Sequence, residues 1–111
     1  MESTIKFNDW KKLDLRVGKI IEVNDHPNAE KLLVLKVNIG IKEITLVAGI
    51  KMHYSKEDLI GKKVVVFTNL EPVVLRSIKS EGMILAADDS ENNIISLLMP
   101  DKDVKNGSLI R

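Results

Sequence analysis

The feature that most constrains this chain is alternation. Leu13, Leu15, Val17, Ile21 and Val23 alternate with Asp14, Arg16, Gly18, Glu22 and Asn24, and Lys19 is the single violation. A two-residue repeat of apolar side chains is the mark of an extended strand with one face turned to a core. Leu33, Leu35, Val37 and Ile39 repeat the pattern, and Gly40 marks a tight connection into a third run, 41–47. A fourth run covers 64–70 and a fifth 83–87. Helical signals are short. Phe7, Trp10 and Leu13 stand three residues apart, which predicts an opening helix of one or two turns with Phe7 and Trp10 committed to its packing. Ser55 before Lys56-Glu57-Asp58 reads as an N-cap with acidic residues in the first turn, and Gly61 stands where a helix should stop. Five strands with one short helix between the third and fourth predict an all-β fold: a small five-stranded closed barrel of the oligonucleotide/oligosaccharide-binding (OB) kind. Residues beyond the fifth strand form a C-terminal extension.

The barrel is affordable for a chain of 111 residues, which buries about two-thirds of its unfolded surface on folding. The expectation is one domain over residues 1–111. At 44% apolar residues the chain is not of the disordered class, and without cysteine it has no disulfide framework, thiolate metal site or cysteine nucleophile. No apolar run approaches the roughly 18 residues of a membrane span, and the opening Met-Glu-Ser-Thr-Ile-Lys lacks the pattern of a secretory signal. A cytoplasmic protein with no membrane partner is therefore expected. Charge is unevenly spread. Residues 1–80 hold 14 Lys and Arg against 10 Asp and Glu, a net +4, and residues 81–111 hold 3 against 6, a net −3.

Catalytic chemistry finds no support. His26 and His53 have no spacing that joins them to a serine nucleophile or a metal-ligand set, and His26, before Pro27, reads as a plain loop residue. Asp88 and Asp89 lie in an Asp/Ser/Asn cluster that favours turns whatever else it does. Gly40, Gly49 and Gly61 lack the spacing and the ending of a phosphate-binding loop. No enzyme activity, metal or cofactor is expected. Two segments stand apart. The first is Asp25-His26-Pro27-Asn28-Ala29-Glu30-Lys31-Leu32. The second runs from Asn69 to Met83, where Arg76, Lys79 and Ser80 place two cations and a hydroxyl within five residues, beside Gly82. On composition alone these charges read first as solvated surface.

The same segments carry a resemblance. Asp14-Leu15-Arg16-Val17-Gly18-Lys19-Ile20, then His26-Pro27-Asn28-Ala29-Glu30-Lys31-Leu32, then Val47-Ala48-Gly49-Ile50 are similar to a known pattern. Gly61-Lys62-Lys63-Val64, Asn69-Leu70-Glu71-Pro72, Leu75-Arg76 and Lys79-Ser80-Glu81-Gly82-Met83 continue it in order. The chain resembles the tRNA-binding domain that is appended to methionyl-tRNA synthetases and also occurs as free-standing tRNA-binding proteins. The resemblance runs from about residue 7 to the C-terminus.

That resemblance implies tRNA binding by shape with little sequence preference, in trans or as a detached methionyl-tRNA synthetase subunit. It implies a binding surface of Lys31, Asn69, Arg76, Lys79, Ser80 and Met83, with Arg16 a weaker member, since its position in an alternating strand also suits an ordinary outward-facing residue. Ser77 stands where relatives carry Gly. The scarcity of aromatic residues, against clustered Lys, Arg, Ser and Asn, suits phosphates and ribose hydroxyls of a folded RNA better than stacking on single strands. One branch of the resemblance acts as a secretion chaperone, which keeps a protein-interaction module as the alternative. The resemblance also implies a homodimer. The apolar run 94–99, apolar on both faces, either closes the barrel as a buried strand or contributes to that dimer.

Overall fold

A computed structural model of the chain describes residues 3–111. Its centre is a five-stranded antiparallel sheet built from β1 (Leu15–Asp25), β2 (Leu33–Asn38), β3 (Glu43–Ala48), β4 (Lys63–Phe67) and β7 (Met83–Ile84). The strand order is β3-β2-β1-β4-β7, and the sheet curls until β3 approaches the segment just before β7. Two hairpins complete the chain: β5 (Val73–Leu75) with β6 (Ile78–Ser80), and β8 (Ala86–Asp89) with β9 (Ile94–Leu97). The all-β, OB-like barrel expected from the alternation is present. Helix is confined to two one-turn segments, α1 (Phe7–Trp10) and α2 (Lys56–Leu59), and a short 3-10 turn at Ser90–Asn92. The Ser55 hydroxyl caps α2 by accepting from the Asp58 N–H at 3.1 Å, and Gly61 ends it with φ +90°. The expected punctuation of α2 is borne out.

The interior is aliphatic. Ile20, Leu33, Leu35, Val37, Leu46, Leu59, Val64 and Val66 lose essentially all contact with water and form one cluster. β1 departs from simple alternation. Its pairing with β2 slips between Ile20 and Glu22, so Ile21 is a bulge residue. Ile20 faces the core together with Gly18, Ile21 lies at the surface, and the extra residue brings Val23 onto the core face, so the expected phase fails before the bulge and the shift restores it at Val23. Leu15 and Val17 are buried too, outside the main cluster, as is Val65, which pairs with Val17. They lie on the face of the sheet opposite that cluster, and the C-terminal segment pairs edge-on with β1 beside Leu15 and Val17. The Val17 N–H donates to Ser108 O at 2.9 Å, the Gly107 N–H to Val17 O at 2.7 Å, and the Ile110 N–H to Leu15 O at 2.8 Å.

Three expectations need correction. The opening helix is the single turn Phe7–Trp10, within the expected length, but Phe7 is not committed to packing: it is 70% exposed, against 38% for Trp10. The fifth run divides into β7 and β8 at Leu85, whose N–H still donates to Val65 O of β4 at 3.1 Å while its carbonyl accepts from the Leu98 N–H at 3.1 Å. The segment 73–80 is a hairpin where a loop was expected. The run 94–99 is divided between the core and the surface. Leu97 and Ile95 pack on the core, and the Leu97 N–H donates to the Tyr54 hydroxyl at 3.1 Å, while Ile94, Leu98 and Met99 stay about half exposed.

Candidate nucleic-acid interface

The expected surface residues separate into two groups. Lys31 and Arg76 come together. They line one open groove of about 450 Å³ with Asn28, Ala29, Glu30 and Leu32. Arg76 and Ser77 form the two-residue tip of the β5–β6 hairpin, closed by the Leu75–Ile78 pair. Both tip residues have positive φ, +51° and +80°, as the favoured two-residue hairpin turn requires. That conformation is costly for a residue with a Cβ and explains why glycine suits the position of Ser77. The turn leaves Arg76 exposed at the hairpin tip, lining the groove. Lys79 stands opposite Val74 in the same hairpin. Both face outward, because Ile78 and Ser80 on either side turn inward. None of Lys31, Arg76 and Lys79 makes an ion pair among the described residues. Met83, opposite Phe67 at the start of β7, is 42% exposed and offers an apolar, polarizable contact near the same hairpin.

Ser80, Asn69 and Arg16 are engaged within the protein. Ser80 is 2% exposed. Its hydroxyl accepts from the Val47 N–H at 3.0 Å and donates to Gly82 O at 3.0 Å. Beside it the Glu81 N–H donates to Thr45 O at 2.8 Å, and Glu81 Oε1 accepts from the Thr45 N–H at 3.1 Å. The barrel thus closes against β3 partly through side chains. Gly82 belongs to this seam, since a Cβ there would stand 2.6 Å from Phe67 O. Asn69 clamps the N-terminal segment: its Oδ1 accepts from the Asp14 N–H at 2.8 Å and its Nδ2 donates to Lys12 O at 2.7 Å. Arg16 bonds Asp14 at 2.9 Å and Gly107 O at 3.1 Å. It stands nine residues before Asp25, about 30 Å of strand from the loop that carries Lys31. The Thr68 hydroxyl, with Arg16 helping, holds the Asp14 carboxyl below its ordinary pKa of 3.8. Lys51 and then Lys56 do the same for Asp25, and both lysines are thereby committed to that carboxylate.

One contributor was missed. His26, expected as a plain loop residue, is buried at 5% exposure. Its Nδ1 accepts from the Asn28 N–H at 3.0 Å, which places the ring proton on Nε2, and that N–H donates to Leu75 O at 2.9 Å. The imidazole therefore joins the loop bearing Lys31 to the residue before Arg76. Its position before Pro27-Asn28 was the only signal available, and it does not distinguish a buried bridge from a solvated loop.

Comparison with known proteins gives a consistent set of relatives. The family described as "Putative tRNA binding domain" matches residues 15–109. A methionine–tRNA ligase of Thermococcus onnurineus is 60% identical over 107 residues, covering 96% of this chain and 14% of that enzyme. The chain thus spans about one-seventh of the length of the curated relatives it matches. Among solved structures, a MetRS related protein of Pyrococcus horikoshii superposes with a TM-score of 0.90 at 27% identity, covering 98% of this chain and 99% of that one. The chaperone CsaA of Picrophilus torridus superposes with a TM-score of 0.88 at 34% identity, covering 97% and 100% respectively.

Proposed function

The chain belongs to the tRNA-binding domain family, and from that membership we propose that it binds folded tRNA by shape, with little preference for sequence and no catalysis of its own. The observation that carries the reading is the groove shared by Lys31 and Arg76, two cations from distant parts of the chain with no carboxylate paired to either. Lys31, Arg76 and Lys79 neutralise phosphates, and Met83 lies against a sugar or base. Asn69 and Ser80 build the surface from beneath, and Arg16 holds the segment where the termini meet. Recognition of this kind suits an RNA helix, whose backbone and 2′-hydroxyls are accessible while its deep major groove is not.

The relatives that are methionine–tRNA ligases support a finer reading, in which residues 1–111 act as one unit in the cytoplasm. The unit serves a methionyl-tRNA synthetase in trans or as its detached subunit and raises the enzyme's effective affinity for tRNA. Exposed Ile94, Leu98 and Met99 suit a homodimer, which would set two tRNA-binding faces in fixed relation. Sedimentation at micromolar concentration should then give twice the monomer mass, and Leu98→Asp should give monomer.

Titration with mixed tRNA and with an unstructured RNA of equal length, at two salt concentrations, tests the binding. The expected log–log salt slope is about −2 to −4, from three or four phosphates at roughly 0.7–0.9 each. Unstructured RNA should bind several-fold more weakly, and equal binding would mean electrostatics without shape recognition. A second reading, capture of unfolded polypeptide, is favoured by the likeness to the chaperone CsaA and by an exposed, largely apolar groove of about 550 Å³ between Phe7, Trp10, Leu13, Leu109 and Ile110. Saturable binding of an unfolded polypeptide, with none of tRNA, would decide for it.

A further inference from the structure

The β5–β6 hairpin is weakly rooted at one end. It forms its own two-stranded sheet, and its base is fixed where Ser80 and Glu81 bond β3. Val73 and Val74 on its other strand are 50% and 63% exposed, so little packing holds the tip. The loop 26–32 is better closed. The His26 N–H donates to Leu32 O at 3.2 Å, and β1 and β2 pair directly at Asp25–Leu33. Lys31 therefore stands on a closed loop, and Arg76 on a tip, between half-buried Leu75 and Ile78, that makes one hydrogen bond to the rest of the protein among the described residues. That contact is the His26 Nε2–H bond to Leu75 O, which spans 49 residues of sequence.

We propose that His26 is a positioning residue for nucleic-acid binding: its imidazole fixes Arg76 relative to Lys31, so that the two cations meet the RNA backbone as a preformed pair. This inference rests on the tRNA-binding reading given above. The imidazole suits the task because its two nitrogens do different things. Nδ1 shapes the loop through Asn28, and Nε2 reaches across to the hairpin. Burial excludes the water that would compete for Leu75 O. A tip residue with positive φ already carries strain, so nothing in the turn itself directs Arg76 back toward the groove once the bridge is lost. Without it, ordering the hairpin falls to the binding step and weakens affinity without removing any group that touches RNA.

The two nitrogens can be tested apart. In His26→Gln the amide nitrogen stands near the place of Nε2 and can still donate to Leu75 O. In His26→Asn the side-chain oxygen stands near the place of Nδ1 and can accept only from Asn28. His26→Ala removes both. The expected result is tRNA binding about tenfold weaker for the Ala and Asn variants and within about twofold of wild type for Gln. In the Arg76→Ala background, His26→Ala should change affinity less than twofold, because the remaining hairpin cation, Lys79, stands beside the anchored Ser80 and does not depend on the bridge. Amide exchange in residues 73–80, measured without RNA, should quicken in the Ala and Asn variants and stay near wild type in Gln. Wild-type affinity in all three variants would overturn the proposal, as would a Gln variant as weak as Ala while still folded, or a full His26→Ala effect persisting without Arg76. If wild-type protein binds no tRNA, the function reading fails by itself, and the exchange data still decide whether His26 holds the hairpin.

Discussion

Two regions of the barrel use similar residue types to opposite ends. Where the N- and C-terminal segments meet, the polar groups are consumed internally: Asp14 by Arg16 and Thr68, Asn69 by the backbone of Lys12 and Asp14, Arg16 by Gly107 O. At the groove between loop 26–32 and the β5–β6 hairpin, the backbone is satisfied by His26 and the cations are left without partners. A cation already paired and bonded to a carbonyl must break those contacts before it can meet a phosphate, whereas a solvated one need only release its counterions. Charge alone therefore does not mark a binding surface. What marks it is charge with nothing inside the protein to spend it on.

The sharpest way to break this contrast is to remove the residues assigned to structure. Ser80→Ala leaves the Val47 N–H and Gly82 O without partners in the seam, and should cost about 2–3 kcal/mol, lowering Tm by roughly 10 °C. Below its Tm the variant should bind tRNA with nearly the wild-type salt slope; a lost unit of slope without lost stability would return Ser80 to the interface. Lys31→Ala, Arg76→Ala and Lys79→Ala should leave Tm nearly unchanged. Each should weaken tRNA binding about fivefold near physiological salt and flatten the log–log slope by nearly one unit, about 0.7–0.9. Arg16→Ala should leave that slope alone, and equal slopes for all four variants would dissolve the distinction between the two regions.

A smaller effect comes from the hairpin tip. Ser77→Gly relieves a φ of +80° and should stabilise the protein by about 0.5 kcal/mol, the strain removed exceeding the added freedom of the unfolded chain. Denaturant unfolding would read it as a higher midpoint with unchanged m. The smallest effect is acid dependence. Asp14 binds a proton less readily folded than unfolded, so its contribution is fully present above its ordinary pKa of 3.8 and is lost as pH falls below that through the lowered folded value. Asp14→Asn should flatten the acid limb of the stability profile by only a few tenths of a kcal/mol, since the pair stands partly in water.

Much of the barrel was legible because β1, β2, β3 and β4 carry long aliphatic runs whose period has one physical meaning. Ser55 and Gly61 likewise announce α2 through backbone chemistry that few other arrangements need. The β5–β6 hairpin was hidden for the converse reasons. Its strands are three residues long, and its turn is Arg-Ser in place of the glycine-containing pairs that usually signal such a tip. The bulge at Ile21 was hidden because Ile20 and Ile21 are the same residue, and only the pairing with β2 decides which faces inward. Ser80 and Asn69 show a deeper limit. A hydroxyl or amide that satisfies the protein's own backbone looks, in sequence, the same as one waiting for a ligand. His26 is the reverse case, a side chain that reads as solvent-facing and carries the connection between two parts of the groove.

The pairing of residues 107–110 with β1 at Leu15 and Val17 also bears on the order of events during synthesis. Arg16 and Gly107 are 91 positions apart, so this edge of the first strand is made long before its partner. At a typical 5–20 residues per second the interval is on the order of 5–20 s, far longer than hydrophobic collapse or strand pairing takes. The barrel can curl and pair within that time, yet it carries an unpaired strand edge until residues 107–110 arrive. Cleavage in the turn at 100–106 would restore that state in a finished molecule by detaching the edge segment from its covalent anchor. Such a nicked protein should keep its barrel and lose its solubility.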